Sequence, residues 1–472
     1  MQNISNRREC FFDDHLIDTA RTTAEFRVHQ PTRREVVLEH TAPWEGSGSD
    51  YHNTFFDDGI WRMYYLGWEV FREPFTICVC YAESTDGIHW VKPNLGIYEW
   101  EGSLDNNILF GPKTLAHLDN FMVFRDDNPV CPPEKRYKAI LSQENRMLWY
   151  FYSADGLHFS KGGILTDQGA CDSLNVAFWD SLAKKYRCYF RAAHAPGSGE
   201  ALRYFNESHV RDIRYMESED FEHWTEPVRL DFGDAEDIAL YTNVVQPYYR
   251  APHMLIGFPS RYVYRRQWTK TFDELCGQEA RRKRCDVEDR LGLVTTDCVF
   301  MCSRDGVHFK RHEEAFLRPN IENGKNWVYG DCYPSRGIIE TPSEIEGAPN
   351  ELSMFAFDNH WIGPARLCRY TLRLDGFVSL HAGASEKTIV TKPFLYDGDA
   401  LFINFSTSAW GSMYFTLVGE DGTRYESLET FGDAIDRRVH FENEDAVAAL
   451  RATPVTLEIR MKDADLYSLK FE

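Results

Sequence analysis

Four copies of one short motif govern what this chain can fold into. Ser84-Thr-Asp86-Gly87-Ile-His89-Trp90, Ser153-Ala-Asp155-Gly156-Leu-His158-Phe159, Ser218-Glu-Asp220-Phe221-Glu-His223-Trp224 and Ser303-Arg-Asp305-Gly306-Val-His308-Phe309 recur at steps of 69, 65 and 85 residues. Each follows an alternating apolar run, as at 76–81 and 299–301. An Asp-Gly pair between two such runs is a hairpin signal, because glycine supplies the positive φ that the turn requires. A second kind of hairpin lies upstream of the motif, at 52–68, 120–141 and 175–192. Two hairpins make four antiparallel strands per unit, and such units repeated around an axis describe a β-propeller. A fourth unit opens at 241–259 and reaches its motif through an Arg-rich insertion near 264–292. A fifth is degenerate, with strands at 335–340, 352–357 and 369–380 and Asp375-Gly376 as its hairpin turn. The expectation is an all-β chain: an N-terminal segment over 1–45 that closes or braces the ring, a five-bladed propeller over 46–384, and a C-terminal β-sandwich over 385–472, where short strands continue without the motif.

Charge and composition exclude several classes of partner. With 73 acidic and 52 basic side chains the formal charge is −21, which repels phosphate backbones and anionic lipid. Nucleic acid and membrane are therefore not expected partners. The first twenty residues hold no apolar stretch of the length a secretory signal uses, so a cytoplasmic protein is expected. The 12 cysteines form no CxxC pair and read as buried free thiols. Phosphate loops, serine-hydrolase elbows, HExxH zinc helices and dinucleotide fingerprints are all missing, and neither a metal nor a cofactor is called for.

The winding of a propeller predicts where a site would lie. The innermost strand of each blade begins at the axial funnel, whereas the Asp-Gly turns sit at the opposite face, so His89, His158, His223 and His308 read as structural. Asp50 and Asp119 each stand 34 residues before the serine of their own motif and occupy equivalent positions in consecutive blades. Asp172 precedes Asp180 by eight residues, as Asp50 precedes Asp58. Carboxylates crowded on one funnel raise each other's pKa, the arrangement that general acid and base chemistry uses. The ends of the second strands add Glu69, Arg191, His194, Arg261, His360 and Trp361, polar and aromatic groups suited to sugar hydroxyls and ring faces. Trp44, His52, Asn175, Asn243 and Glu340 complete the candidate substrate-binding set, with Gln246 as a further amide and Glu69 and Glu340 as rival acids.

The stretch Asp50-Tyr-His-Asn-Thr-Phe-Phe-Asp-Asp58-Gly59, followed by an aromatic second strand and then SxDGxHW, resembles the first blade of the five-bladed propeller glycoside hydrolases of families 32 and 43. The likeness spans roughly 45–380, and family 32 also carries a C-terminal sandwich. It implies a glycosidase acting on an oligosaccharide, with Asp50 as nucleophile or base, Asp119 as the carboxylate that orients the sugar and tunes its neighbours, and Asp172 as the acid. The chain departs from the family 32 pattern Asn-Asp-Pro-Asn-Gly at Ser-Asp50-Tyr-His-Asn, and from Arg-Asp-Pro at Leu118-Asp119-Asn120. Two other readings stay open. One is a glycoside phosphorylase using a basic cluster at the funnel, for which Arg191, Arg261 and Arg336 are candidates; the other is a propeller that binds glycan without cleaving it.

Overall fold

The computed structural model describes every residue except 1, 70–75, 116–117, 144–145, 199–205, 207 and 322–324. Five antiparallel sheets form the blades of a propeller. The first runs Asp50–Asp57, Ile60–Trp68, Ile77–Ser84 and Ile108–Phe110; the second runs Asp119–Arg125, Tyr137–Gln143, Met147–Ser153 and Ser160–Thr166. The third comprises Val176–Asp180, Lys185–His194, Val210–Ser218 and Val228–Arg229. In the fourth, Ala251–Gly257 and Ser260–Tyr264 both pair with Val294–Ser303, so its second strand is interrupted, and the helices Lys270–Glu274, Gln278–Val287 and Asp289–Leu293 fill the connection that follows. Blade strands are buried along most of their length because each sheet is covered on both faces by its neighbours.

The fifth blade is closed from the other end of the chain. Its strands Ile339–Thr341, Glu351–Asp358 and Arg366–Arg373 take Thr32–Glu39 as the outermost strand. This corrects the expected hairpin at Asp375-Gly376: the strand after it, Val378–Ala382, leaves the blade and pairs with Glu25–Val28 and Val455–Phe471 in a separate ten-stranded sheet. Asp375 is fully buried there, accepting from Arg8 and Ser468 on one side and from Tyr248 and Arg250 of the fourth blade on the other. Burial opposes its charge, yet the two guanidinium groups outweigh that and hold its carboxyl below the usual range. The residue read as a turn is an ionic staple between propeller and sandwich.

The further sheet fits a C-terminal sandwich built on two long strands, Leu401–Gly419 and Val455–Phe471, around an apolar core of its own. It also recruits the chain's beginning, since Gln2–Ser5 pairs with Phe394–Tyr396 and Glu9–Cys10 with Val455–Phe471. The N-terminal stretch is thus divided between the two bodies. All 12 cysteines are free thiols. Among the described residues no helix is long and apolar enough to cross a membrane.

The repeated motif stitches blades together. In each copy the serine Oγ accepts the backbone N–H two and three residues on, and the aspartate accepts two further backbone N–H groups and the histidine ring. The turn so formed packs on the preceding blade: Tyr64 donates to Gly156 O at 2.8 Å, and Tyr189 to Gly306 O at 3.0 Å. In the third copy Phe221 replaces glycine at φ 70°, in the left-handed region that side chains rarely adopt. It is buried against Phe124, Tyr150 and Tyr186, so packing offsets the backbone strain.

Candidate active site

One cavity of about 170 Å³ opens at the propeller axis, lined by Asp50, Asp119 and Asp172 from three consecutive blades. A cavity of ~150 Å³ accommodates a benzene ring, so this one has room for a single six-membered ring. Asp50 and Asp119 are the first residues of their strands. The residue after each, Tyr51 at φ 54° and Asn120 at φ 43°, lies in the left-handed region. Backbone strain repeated at equivalent positions turns both carboxyls toward the axis at a break in the ladder: Asp50 pairs with Leu66 and Asp119 with Ser142, and the register shifts directly after each.

Asp172 lies in the loop leading into Val176–Asp180, and two amides fix that loop. Asn175 Nδ2 donates to Cys171 O and Ser173 O, both at 2.9 Å, while its Oδ1 accepts from the Arg191 backbone. Asn120 Nδ2 donates to Cys171 O at 3.0 Å, tying the residue beside Asp119 to the residue beside Asp172. Asn175 therefore faces backbone and holds Asp172 in place instead of lining the cavity. Asn243 is likewise spent on backbone, through Tyr189 O and Val245 N.

The three carboxyls stand in different electrostatic surroundings. Asp172 is ion-paired with Arg191 and, at 3.3 Å, with Arg146, partners that favour the charged form. Asp50 is buried, with no cation beside it among the described residues; burial, and then the proximity of Asp119, push its carboxyl well above the usual range. Burial also raises Asp119, partly offset by Arg191, the Asn120 N–H and Arg146. Against Asp50 Oδ2 stands His360 Nε2 at 3.6 Å. His360 Nδ1 donates to Tyr329 O at 2.6 Å, which leaves Nε2 as the bare nitrogen of a neutral ring. Burial pulls His360 down to about 3. A protonated carboxyl facing an imidazole lone pair is the consistent arrangement.

The rest of the wall is aromatic and basic. Tyr241 stacks on Tyr333 at 5.4 Å and Tyr262 at 5.9 Å, while Trp361 meets Trp68 and Tyr329 edge-on. Trp361 has φ 62°, and its backbone N–H donates to Ser47 O at 2.7 Å. Asp50 Oδ1, His360 Nε2, Trp361 Nε1 and Tyr333 Oη are buried polar atoms without a hydrogen-bond partner among the described residues. Such atoms on one cavity are the groups that a polyhydroxylated ligand satisfies.

Of the sequence-derived candidates, the cavity brings together Asp50, Asp119, Asp172, Arg191, His360 and Trp361. The others lie elsewhere. His52 is buried between His40 and Tyr65, its Nε2 2.9 Å from His40 Nε2. Trp44 donates to Asn107 and packs on Trp100. Glu69 accepts from Ser47, in the loop that also anchors Trp361. His194 is held by Asp212 at 2.6 Å and Asp237 at 2.9 Å, which raise its pKa, and Arg261 is paired with Asp297. Glu340 is exposed and accepts from Tyr249 and Asn350. Arg336 and Gln246 do not line the cavity.

The misses follow the pleat. Arg191 and His194 are three apart on one strand, and Arg261 adjoins Tyr262, so His194 and Arg261 point away from the face that carries Arg191 and Tyr262. The cavity adds Tyr51, Trp68, Arg146, Arg211, Tyr241, Arg290, Leu291, Tyr329 and Tyr333. Several sit at the second-to-third strand connections: Trp68 ends a second strand, Arg146 is in a hairpin, Arg211 is the second residue of a third strand, and Arg290 closes the helical insertion. Those connections share the funnel face with the strand starts, a signal present in the winding itself.

No family model matches the chain, and no curated protein does. Among solved structures it is similar to a Bombyx mori GH32 beta-fructofuranosidase, BmSUC1, at 10% identity over 94% of both chains, TM-score 0.40. A second likeness is to a structure described under the GH130 family of mannoside phosphorylases, containing glycoside hydrolases that target beta-1,2 mannosidic linkages in Candida mannan, at 13% identity over 78% of this chain and 96% of that one, TM-score 0.41. A third is to a glycosyl hydrolase from Bacteroides ovatus, at 12% identity over 72% of this chain and 94% of that one, TM-score 0.41. All three are described in the terms of glycoside-cleaving enzymes or families, and the likeness is one of layout.

Proposed function

We propose that this protein is a glycoside hydrolase that holds one sugar ring of an oligosaccharide in the funnel cavity and cleaves its glycosidic bond with carboxyl groups from neighbouring blades. The observation that carries the reading is the split among those carboxyls: Asp50 is pushed toward its protonated form while Asp172 is paired with two arginines. Environments that drive neighbouring acids apart in pKa assign the proton donor and the charged partner. Asp50 then gives its proton to the glycosidic oxygen as the bond from that oxygen to the anomeric carbon breaks. Water adds to the anomeric carbon, either directly, with its proton passing to Asp172, or after Asp172 has formed and released a glycosyl ester. Burial, helped by the nearby Asp119, keeps Asp50 protonated, and Trp361 with Trp68 supplies ring faces for the sugar. This assignment reverses the acid and base roles that the sequence resemblance implies.

Leaving-group dependence tests it. On aryl pyranosides and furanosides with a poor leaving group, Asp50→Asn and Asp172→Asn should each lose roughly a thousandfold in kcat. On the matching dinitrophenyl glycosides, whose departure needs no proton, Asp50→Asn should regain most of that loss and Asp172→Asn none. The mirror-image result would restore the roles implied by resemblance, and near-normal turnover in both variants would end the hydrolase reading. The arginines on the cavity wall favour one second reading, transfer to phosphate instead of water, and turnover that requires added phosphate would identify it.

A further inference from the structure

The helical insertion of the fourth blade buries two arginines behind the cavity wall. In Gln278–Val287 the run Arg281-Arg282-Lys283-Arg284 puts its two ends on one helix face, and both are 1% exposed, whereas Arg282 and Lys283 reach solvent and pair with Asp273 and Glu279. Arg281 donates to Gly292 O at 3.0 Å and to Trp327 O at 2.7 Å. Arg284 Nη2 donates to His360 O at 2.6 Å, and its Nε and Nη1 have no partner among the described residues. The same guanidinium lies 5.5 Å from the centroid of the Trp361 ring. Burial, and then Arg281, pull the Arg284 pKa down to about 9, and Asp331 offsets only part of that. A buried cation with one carbonyl partner adds little stability of its own, and an apolar side chain of similar volume would avoid the desolvation. The contact is therefore to be understood by what it holds.

It holds a strained corner of the cavity. Asn359 and Trp361, on either side of His360, have φ 63° and 62°, in the left-handed region. The Trp361 N–H donates to Ser47 O, and the His360 ring lies so close to Gly330 that a β-carbon there would collide with it. From this corner His360 Nε2 faces Asp50 Oδ2, and Trp361 lines the cavity. Strained residues persist only where their surroundings over-determine them, and Arg284 grips the residue between the two. We propose that Arg284 is a positioning residue of this site: its charge-assisted bond to the His360 carbonyl holds the imidazole against the Asp50 carboxyl and the Trp361 ring at the sugar. The proposal rests on the glycoside-cleaving reading for what the corner does to a substrate, while the hold itself can be measured without turnover.

The test uses the full-length protein and three variants. Arg284→Met keeps an unbranched side chain that donates nothing, Arg284→Lys keeps a charged donor, and Arg281→Met removes the same helix's hold on Gly292 and Trp327. Hydrogen exchange read by mass spectrometry comes first, because it needs no substrate. In Arg284→Met the Trp361 amide should exchange about tenfold faster or more, and Arg284→Lys should restore most of the protection. Arg281→Met should speed exchange in the insertion and leave Trp361 protected. If Arg284→Met does not fold, Arg284→Gln carries the same comparison at the same amide. Turnover of aryl glycosides follows. Arg284→Met should lose roughly thirtyfold in kcat on a poor leaving group and about fivefold or less on the dinitrophenyl glycoside, since the displaced imidazole disturbs the acid step, while KM rises on both as Trp361 shifts. Unaltered protection at Trp361 in Arg284→Met overturns the proposal, as does an equal rise in exchange there in both Met variants, or a loss of kcat that is the same for both leaving groups with KM unchanged. Lost protection at Trp361 in a protein whose parent cleaves no glycoside would sustain the hold on the corner and sink the hydrolytic reading instead.

Discussion

The two faces of the propeller use the same two residue types to opposite ends. On the turn face, each motif pairs an exposed aspartate with an exposed histidine three residues on, at 2.7–2.8 Å. Against the opposing effect of partial burial, hydrogen bonds from the histidine and the backbone hold Asp86, Asp155 and Asp220 below the usual carboxylate range, and Asp305 at about 2. Asp86, Asp220 and Asp305 in turn raise His89, His223 and His308. On the funnel face Asp50 meets His360 with both groups buried; there the acid is pushed up and the imidazole down. In the first kind of pair the acid is held toward its charged form, in the second toward its neutral form. Solvent decides which: water stabilises the charged pair at the turns, and its exclusion at the axis favours the pair without charge.

The largest effect expected from disturbing this contrast comes from Asp119. Its charge helps hold the proton on Asp50, so Asp119→Asn should lower the Asp50 pKa. If Asp50 is the acid, the alkaline limb of the pH profile of kcat/KM moves to lower pH, and turnover at neutral pH falls by roughly a hundredfold. A profile that loses height without moving would assign Asp119 to sugar binding alone.

On the opposite face, Asp155→Ala removes the acceptor of the Leu157 and His158 backbone N–H groups and of Ser153 Oγ. Leaving such a turn unsatisfied costs about 2 kcal/mol. Denaturant unfolding should show this loss in stability, with kcat within twofold of the parent. A large drop in kcat would mean that the turn face communicates with the funnel.

The sequence carried the fold well and the site in part, and the pleat explains the division. The motif recurs in four blades, where its turn packs on the preceding blade as at Gly156 and Gly306, so the blades and the positions of Asp50 and Asp119 follow from counting along the chain. Asp172 could be placed by its spacing too, although Asn175, which holds it, reads equally well as a substrate ligand. Residues at second-strand ends are harder. A shift of one position turns a side chain to the other face, which is why Arg191 reaches the cavity and His194 does not. Arg290 was illegible because a helical insertion has no counterpart in the other blades. The closing strand Thr32–Glu39 falls in the segment expected to close or brace the ring, but its partner lies more than 320 residues away and no local signal names it.

His360 sharpens the contrast through pH. With its pKa near 3 in the folded protein and an ordinary value of 6.5 when unfolded, the unfolded chain takes up the proton first as pH falls. The stability associated with the neutral ring is complete above about pH 6.5 and is lost progressively from there toward pH 3. At pH 5 the loss is about 2 kcal/mol. His360→Asn, which does not titrate, should therefore gain on the parent by that amount between pH 7 and pH 5 in urea unfolding. An unchanged difference between the two proteins across that range would mean that the imidazole takes up its proton as readily in the cavity as in the unfolded chain, and with it the neutral pairing to Asp50 would fall.

The smallest effect concerns a single blade clasp. Tyr64 is buried, and its hydroxyl donates to Gly156 O, the turn residue of the next blade; Tyr64→Phe removes that donor and keeps the ring's contacts with Tyr81 and Phe121. The carbonyl left behind also loses its partner, so the cost is about 1 kcal/mol. Tyr189→Phe, which unfastens Gly306 in the same way two blades on, should cost the same within a few tenths. Because each clasp joins only adjacent blades and the two lie far apart on the ring, the double variant should lose the sum, about 2 kcal/mol, with turnover unaltered. A double variant that loses much more would show that the clasps support each other around the ring, and that closure by Thr32–Glu39 makes the propeller one cooperative unit instead of a chain of pairwise contacts.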